Sequence, residues 1–314
     1  MDATLGAVSA SDVASTSSGE QFARVGGLRL CYETFGSGGA PSLLLVMGLG
    51  SQMLLWDDRF CEELAARGFR VIRFDNRDVG RSTILRDAHV PARWQLAVRH
   101  SAGAAYALEA MADDAAGLLD HLEIDAAHVV GASMGGMIAQ LIAIRHPERV
   151  LSLVSIMSTT GNRRVGRPEP RVALRMLRPA ARTRDAYIED HIQTYRLIGS
   201  RDFDFEEEHK RQRAGRLFGR GIHPAGSARQ MAAVVTAEDR TELLRQIRMP
   251  TAVIHGEQDP LVNVSGGRAT AAAIPDAELV ILPGMGHDLP RELWPQIIDI
   301  IARTTHPKRP APES

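Results

Sequence analysis

From Gln21 onward the apolar positions fall in short runs separated by glycine and polar turns. FARVGGLRL carries a Gly-Gly turn and CYETFG follows it; both alternate polar and apolar residues, as half-buried strands do. SLLLVMG is instead a continuous apolar run, the pattern of a strand covered on both faces. QMLLWDDRFCEELAARG then has helical spacing and stops at a glycine. RVIRFD predicts another buried strand, and NRDVGRST a loop. The alternation continues through a helix over Ala107–Leu122, the strand AHVVGAS, the helix MGGMIAQLIAIRH and the strand VLSLVSIMS. Near the end it resumes with PTAVIHGEQD, a helix near Gly266–Ala273, the strand AELVILPG and a last helix near Leu289–Arg303. Strands alternating with helices predict an α/β fold with a mostly parallel central sheet and helices on both faces.

Between Thr160 and about Asp239 the strand-like runs disappear. The segment is helical and arginine-rich, as in RVALRMLRPAARTRDAYIEDHIQTYRLI, and it predicts a helical cap insert laid over the sheet. The expected organisation is therefore a core of residues 21–159 and 240–304, a cap at 160–239, and flexible tails at 1–20 and 305–314. The arginines of the insert are expected to solvate exposed helix faces; a pocket rim selecting an anionic substrate is the other reading.

Composition narrows the function. A hydrophobic content of 44% supports a buried core, and a net charge of -1 gives no electrostatic case for nucleic acid or an anionic membrane as partner. Cys31 and Cys61 stand far apart with no metal-ligand spacing around them. That argues against a disulfide framework or a zinc site and fits a reducing, cytoplasmic location. The N-terminus lacks the basic start and apolar stretch of a secretory signal, and no run is long enough to span a membrane. Nothing in the pattern bears on oligomeric state.

One stretch carries chemistry. HVVGASMGGMIAQ crowds Gly131, Gly135 and Gly136 around Ser133, at a junction of strand and helix. A strained turn there lifts the serine hydroxyl clear of the backbone, and Gly131 and Gly135 let strand and helix approach too closely for a Cβ. A tight turn with a serine cap is the plainer reading. A serine nucleophile needs an imidazole base, and that base needs a carboxylate. His287 lies in the Gly-rich loop LPGMGHD after the last strand, and the candidate acids are Asp259, Glu257 and Asp288. Asp259 and His287 both fall at the carboxyl edge of the sheet, where open α/β sheets place their sites. The loop MGLGSQ after LLLV exposes amides, so the backbone N–H groups of Leu49 and Met134 form the expected oxyanion hole.

With GASMGG, FDNRDVGRS, HGEQD and GMGH, the chain resembles the α/β-hydrolase superfamily from about Gln21 to Arg303. MGLGSQMLLW together with RFDNRDVGRST is similar to the aclacinomycin-methylesterase-like carboxylesterases. The resemblance implies the α/β-hydrolase fold and selects Asp259 as the triad acid. It implies a carboxylesterase acting on a small-molecule ester through Ser133, His287 and Asp259, without metal or organic cofactor. Many relatives carry His-Gly before the oxyanion residue, where this chain has Met47-Gly48; the backbone donor survives that change and the histidine's hydrogen bonds do not.

Other readings remain. Cofactor-free perhydrolase or haloperoxidase-type, thioesterase and lactonase activities use the same triad, and a ligand-binding protein could keep the fold without turnover. A dinucleotide-binding unit at LLLVMGLGSQM lacks its third glycine, having Met53 there, and leaves Ser133, Asp259 and His287 unexplained. His255 reads as a structural histidine, His223 as solvated surface or else a residue reaching the pocket, and Asp75 and Arg77 as loop braces. Met53, Leu54, Trp56, Trp94, Met157 and Phe218 are candidates to line a hydrophobic pocket, or else simply core.

Overall fold

The computed structural model describes residues 17–92, 104–176, 178 and 181–305. Every residue of Ser42–Val46 is buried, and the period of two sends Leu43 and Leu45 to one face of the sheet and Leu44 and Val46 to the other. The strands are β1 (Gln21–Val25), β2 (Leu28–Phe35), β3 (Ser42–Val46), β4 (Arg70–Phe74), β5 (Ala127–Ala132), β6 (Val150–Ile156), β7 (Thr251–Gly256) and β8 (Glu278–Leu282). Among the described residues they form one sheet in the order β1-β2-β4-β3-β5-β6-β7-β8. Only the β1–β2 and β2–β4 pairings are antiparallel.

Helices cover both faces, as the alternation predicts. They are α1 (Asp58–Ala66), α2 (Leu108–His121) and α3 (Met134–Arg145), then α4 (Pro170–Met176), α5 (Arg184–Ile198), α6 (Glu207–Arg220) and α7 (Pro224–Thr236). A single turn α8 (Thr241–Leu244) leads to β7, and α9 (Ser265–Ala273) and α10 (Trp294–Thr305) complete the chain. Leu43, Leu45, Val71 and Val154 pack with Phe60 and Leu64 of α1 and Ile297 and Ile301 of α10. Leu44, Val46, Ile72 and Val129 pack with Met111 and Leu118 of α2 and Ile138 and Ile142 of α3. Each such side chain contributes roughly 1.5–3 kcal/mol when fully buried. No helix among the described residues is long and apolar enough to cross a membrane.

Three boundaries differ from the sequence expectation. LRL and CYETF are one continuous strand, β2, because the turn closes entirely within Gly26-Gly27 and Leu30 and Cys31 are both buried. The first helix begins only at Asp58: Met53–Leu55 forms a separate 3-10 turn, and the Asp57 side chain accepts the Arg59 N–H at 3.0 Å as the helix cap. The last helix begins at Trp294 rather than near Leu289. Pro290 is extended (φ -64, ψ 144) and disfavours helical backbone at Leu289, so no helix starts there, and Arg291–Leu293 forms a 3-10 turn ahead of α10. The tails at 1–16 and 306–314, and Trp94, lie outside the described residues.

The helices between β6 and β7 are tied to loops at the carboxyl edge of the sheet by buried charge. Arg229 of α7 is 1% exposed and donates two hydrogen bonds to Asp78, at 2.8 and 2.6 Å. Arg220 of α6 pairs with Asp75 at 2.7 Å and with Glu20 at 2.6 Å. These two arginines therefore depart from the expected solvated role: each completes a carboxylate that the sheet loops bury. Burial opposes the charge of Asp78, but Arg229, the Leu85 N–H and the Tyr106 hydroxyl together hold its carboxyl below the usual carboxylate range. Its stabilisation is full above the unfolded-state value and is lost as pH falls through the lower folded one. Arg229→Met strands a buried carboxylate and is expected to cost about 3–5 kcal/mol in urea unfolding at neutral pH. In the variant this contribution to the acid limb of the stability curve disappears; an unchanged midpoint would refute the assignment.

Candidate active site

The chain reverses direction across the sheet at β3. It moves to β4 on one side and returns as β5 on the other, leaving a crevice between the carboxyl ends of β3 and β5. Open α/β sheets bind ligands at such a switch point. Ser133 follows β5 there and faces the loop after β3: a Cβ built on Gly48 lies 3.1 Å from that of Ser133.

The glycines fit the role expected of them. A Cβ on Gly131 would come within 2.1 Å of the Gly135 carbonyl oxygen, and one on Gly135 within 2.1 Å of the Val46 carbonyl oxygen. With strand and helix so close, the connecting residue is forced to φ 58, ψ -122, a conformation that non-glycine residues rarely adopt. Gly135→Ala must move backbone rather than side chain, so its cost is expected at about 3 kcal/mol or more in denaturant unfolding. A wild-type stability curve would contradict this packing.

Three predicted residues from separate loops meet. The Ser133 Oγ lies 3.0 Å from His287 Nε2, and His287 Nδ1 lies 2.7 Å from Asp259 Oδ2. Asp259 is 3% exposed and its Oδ1 accepts the N–H groups of Leu261 (2.9 Å) and Val262 (2.8 Å). A carboxylate only accepts, so His287 donates from Nδ1 and its Nε2 is left to accept the serine proton. The His287 N–H in turn donates to the Ile198 carbonyl at 2.7 Å, which ties the histidine loop to the end of α5.

The other acids are elsewhere. Glu257 is exposed, and Asp288 accepts the N–H and the hydroxyl of Ser200, at 2.8 and 2.6 Å. His255 is buried with Nε2 on the Val262 carbonyl at 2.7 Å, and burial pushes its pKa down. It is a neutral, structural histidine. His223 is half-buried and donates to the Gly80 carbonyl at 3.0 Å, neither in the site nor fully solvated.

The N–H groups of Leu49 and Met134 make no hydrogen bond among the described residues, and both residues border the cavity above Ser133. Their loop is held from several sides. The Gly50 N–H donates to Gln230 Oε1 at 2.7 Å, the Met53 N–H to Asp75 at 2.8 Å, and Asn76 Nδ2 to the Met47 carbonyl at 2.9 Å. Gln230 also donates to the Arg77 carbonyl at 2.7 Å and is fully buried. Sequence reasoning missed it, since a glutamine on an insert helix carries no local signal.

The cavity holds about 780 Å³, in the range of sites for a small organic molecule. Trp56, Phe60, Met137, Met157, Val234 and Trp294 supply apolar wall. Of the other expected lining residues, Met53 and Leu54 pack with Cys31 and Leu217 in a cluster of their own, and Phe218 lies against Tyr187. The insert also brings charge to the wall: Arg163, Arg167, Lys210 and Arg213 border the same space.

Comparison with known proteins agrees with this fold. A family model described as alpha/beta hydrolase fold matches residues 41–290. The rhodomycin D methylesterase of Streptomyces sp. (strain C5) is 30% identical over 281 residues, covering 83% of this chain and 89% of that protein. A 2-hydroxy-6-oxononadienedioate/2-hydroxy-6-oxononatrienedioate hydrolase of Cupriavidus pinatubonensis is 27% identical over 260 residues, covering 82% and 83%. Among solved structures, the enol-lactonase from Burkholderia xenovorans LB400 shares the fold with a TM-score of 0.69 at 23% identity, covering 90% of this chain and 99% of that one.

Proposed function

Since the chain belongs to the α/β-hydrolase fold family, we propose that this hydrolase is a serine carboxylesterase that cleaves a small-molecule ester through an acyl-enzyme. The observation that carries this reading is the hydrogen-bond chain Ser133–His287–Asp259 at the wall of the cavity. The methylesterase relative favours ester cleavage among the reactions of the family.

His287 Nε2 takes the Ser133 proton as Oγ attacks the ester carbonyl. The carbonyl oxygen gains charge as the tetrahedral centre forms, and the Leu49 and Met134 amides receive it; one such donor is typically worth about 10²–10³ in rate. Asp259 steadies the imidazolium, which then protonates the departing alcohol. A water molecule enters, gives its proton to His287 and attacks the acyl carbon. The carboxylic acid leaves as the proton returns to Ser133. These steps call for neither a metal nor an organic cofactor.

Residues 160–239 are the cap of this reading, set over a core of 21–159 and 240–304. The two buried, unpaired thiols fit a cytoplasmic enzyme. A fluorophosphonate probe is expected to label the protein at Ser133 alone, located by peptide mass spectrometry, and to leave Ser133→Ala unlabelled. A folded wild-type sample that takes no label refutes the proposal in favour of a ligand-binding role.

A further inference from the structure

Resting on the serine-esterase reading, we propose that the ester bound here carries a carboxylate remote from the scissile bond, held by Lys210 and Arg213 of α6. His209, Lys210, Arg213 and Leu217 recur at helical spacing and, with Glu206 at the cap, turn one face of α6 to the cavity. On that face the outer charges are satisfied: Arg291 reaches Glu206 at 3.1 Å, and His209 Nε2 reaches Asp57 at 2.7 Å.

Lys210 and Arg213 are different. Lys210 is 6% exposed and has no carboxylate at ion-pair distance among the described residues. Its ammonium donates to the Phe205 carbonyl at 2.8 Å and otherwise faces the rings of Phe205 (4.9 Å) and Tyr195 (5.9 Å). Arg213 makes no hydrogen bond or ion pair among the described residues, and its Nε is hidden from solvent without a partner. His191 Nε2 beside them is likewise hidden and unpartnered. Burial, then Arg213 and Lys210, push the His191 pKa down to about 3, so the imidazole adds no charge of its own. Burial also lowers the pKa of Lys210. The acids that face it do not touch it: Glu206 is paired with Arg291, while Asp288 and Asp204 keep their charge and accept from Ser200 and from the Glu206 N–H.

A buried ammonium beside a half-buried guanidinium, neither in direct contact with a carboxylate among the described residues, is costly, and an anionic ligand group that touches both lowers that cost. A guanidinium fork beside an ammonium suits a planar carboxylate, while the aromatic and methionine walls suit the apolar body that joins it to the ester.

The test compares charged and uncharged esters in two series. In one the charge is on the acyl side: mono-4-nitrophenyl esters of five- to nine-carbon dicarboxylic acids against 4-nitrophenyl alkanoates of the same length. In the other it is on the alcohol side: 4-acetoxybenzoate against 4-acetoxybenzamide. In one of the two series the charged ester is expected to exceed its neutral partner in kcat/KM by about tenfold or more. That ratio should fall at least about fivefold in Lys210→Met and Arg213→Gln and be retained in Lys210→Arg. A purely structural role lowers both esters alike and leaves the ratio in place. Neutral esters preferred in both series, or an unmoved ratio in both variants, overturns the proposal. If wild type turns over no ester, the esterase reading fails separately. Calorimetric titration with glutarate through azelate then decides: binding lost in the variants upholds the anion site, and no binding ends it.

Discussion

Ser133→Ala is expected to lower kcat for ester hydrolysis by roughly 10⁶-fold, to the level left by substrate binding and the oxyanion donors. KM should change little, because the lost hydroxyl acts on the reacting carbon and not on the body of the substrate. Stability should also change little. Alanine inherits the same strained backbone at φ 58, and the hydroxyl's contact is with His287, which remains anchored by Asp259 and by the Ile198 carbonyl. Steady-state kinetics beside a urea curve separates the two effects. A folded mutant with more than about 1% of wild-type kcat removes Ser133 as nucleophile.

Asp259→Asn should cost about 10⁴-fold in kcat, and the geometry says why. Oδ1 of Asp259 accepts two backbone N–H groups, from Leu261 and Val262. An asparagine must keep its carbonyl oxygen there, since its amide nitrogen cannot accept. The –NH₂ then occupies the position of Oδ2, 2.7 Å from His287 Nδ1. A donor at that position makes Nδ1 the acceptor and moves the ring proton to Nε2, where it blocks acceptance from Ser133. Glu257→Gln changes an exposed side chain two residues away and should leave kcat within about twofold. Equal losses in the two variants would count against Asp259 as the acid.

The sequence alone determined the frame. Periods of two and of about 3.6, read over ten to fifteen residues, placed most strands and helices, because burial of one face sets those periods whatever the partner is. The turn at Ser133 was equally legible: close backbone approach explains so many glycines, and the built Cβ on Gly131 or Gly135 meets a carbonyl oxygen at 2.1 Å. Where local signals compete, the expectation slipped. Pro290 moved a helix start, and an Asp57 cap split another apolar run.

Which distant polar groups share a buried space is fixed by packing, not by local pattern. Arg220 meets Asp75 across 145 residues of sequence, Arg229 meets Asp78 across 151, and Gln230 holds the Gly50 amide across 180. An arginine on an amphipathic helix looks the same in sequence whether its head reaches water, a buried carboxylate or an empty stretch of cavity wall. The difference lies in the desolvation of the charge and the partner offered in return. Both are properties of the packed molecule, which is why Lys210 and Arg213 stand out only once the cavity is formed.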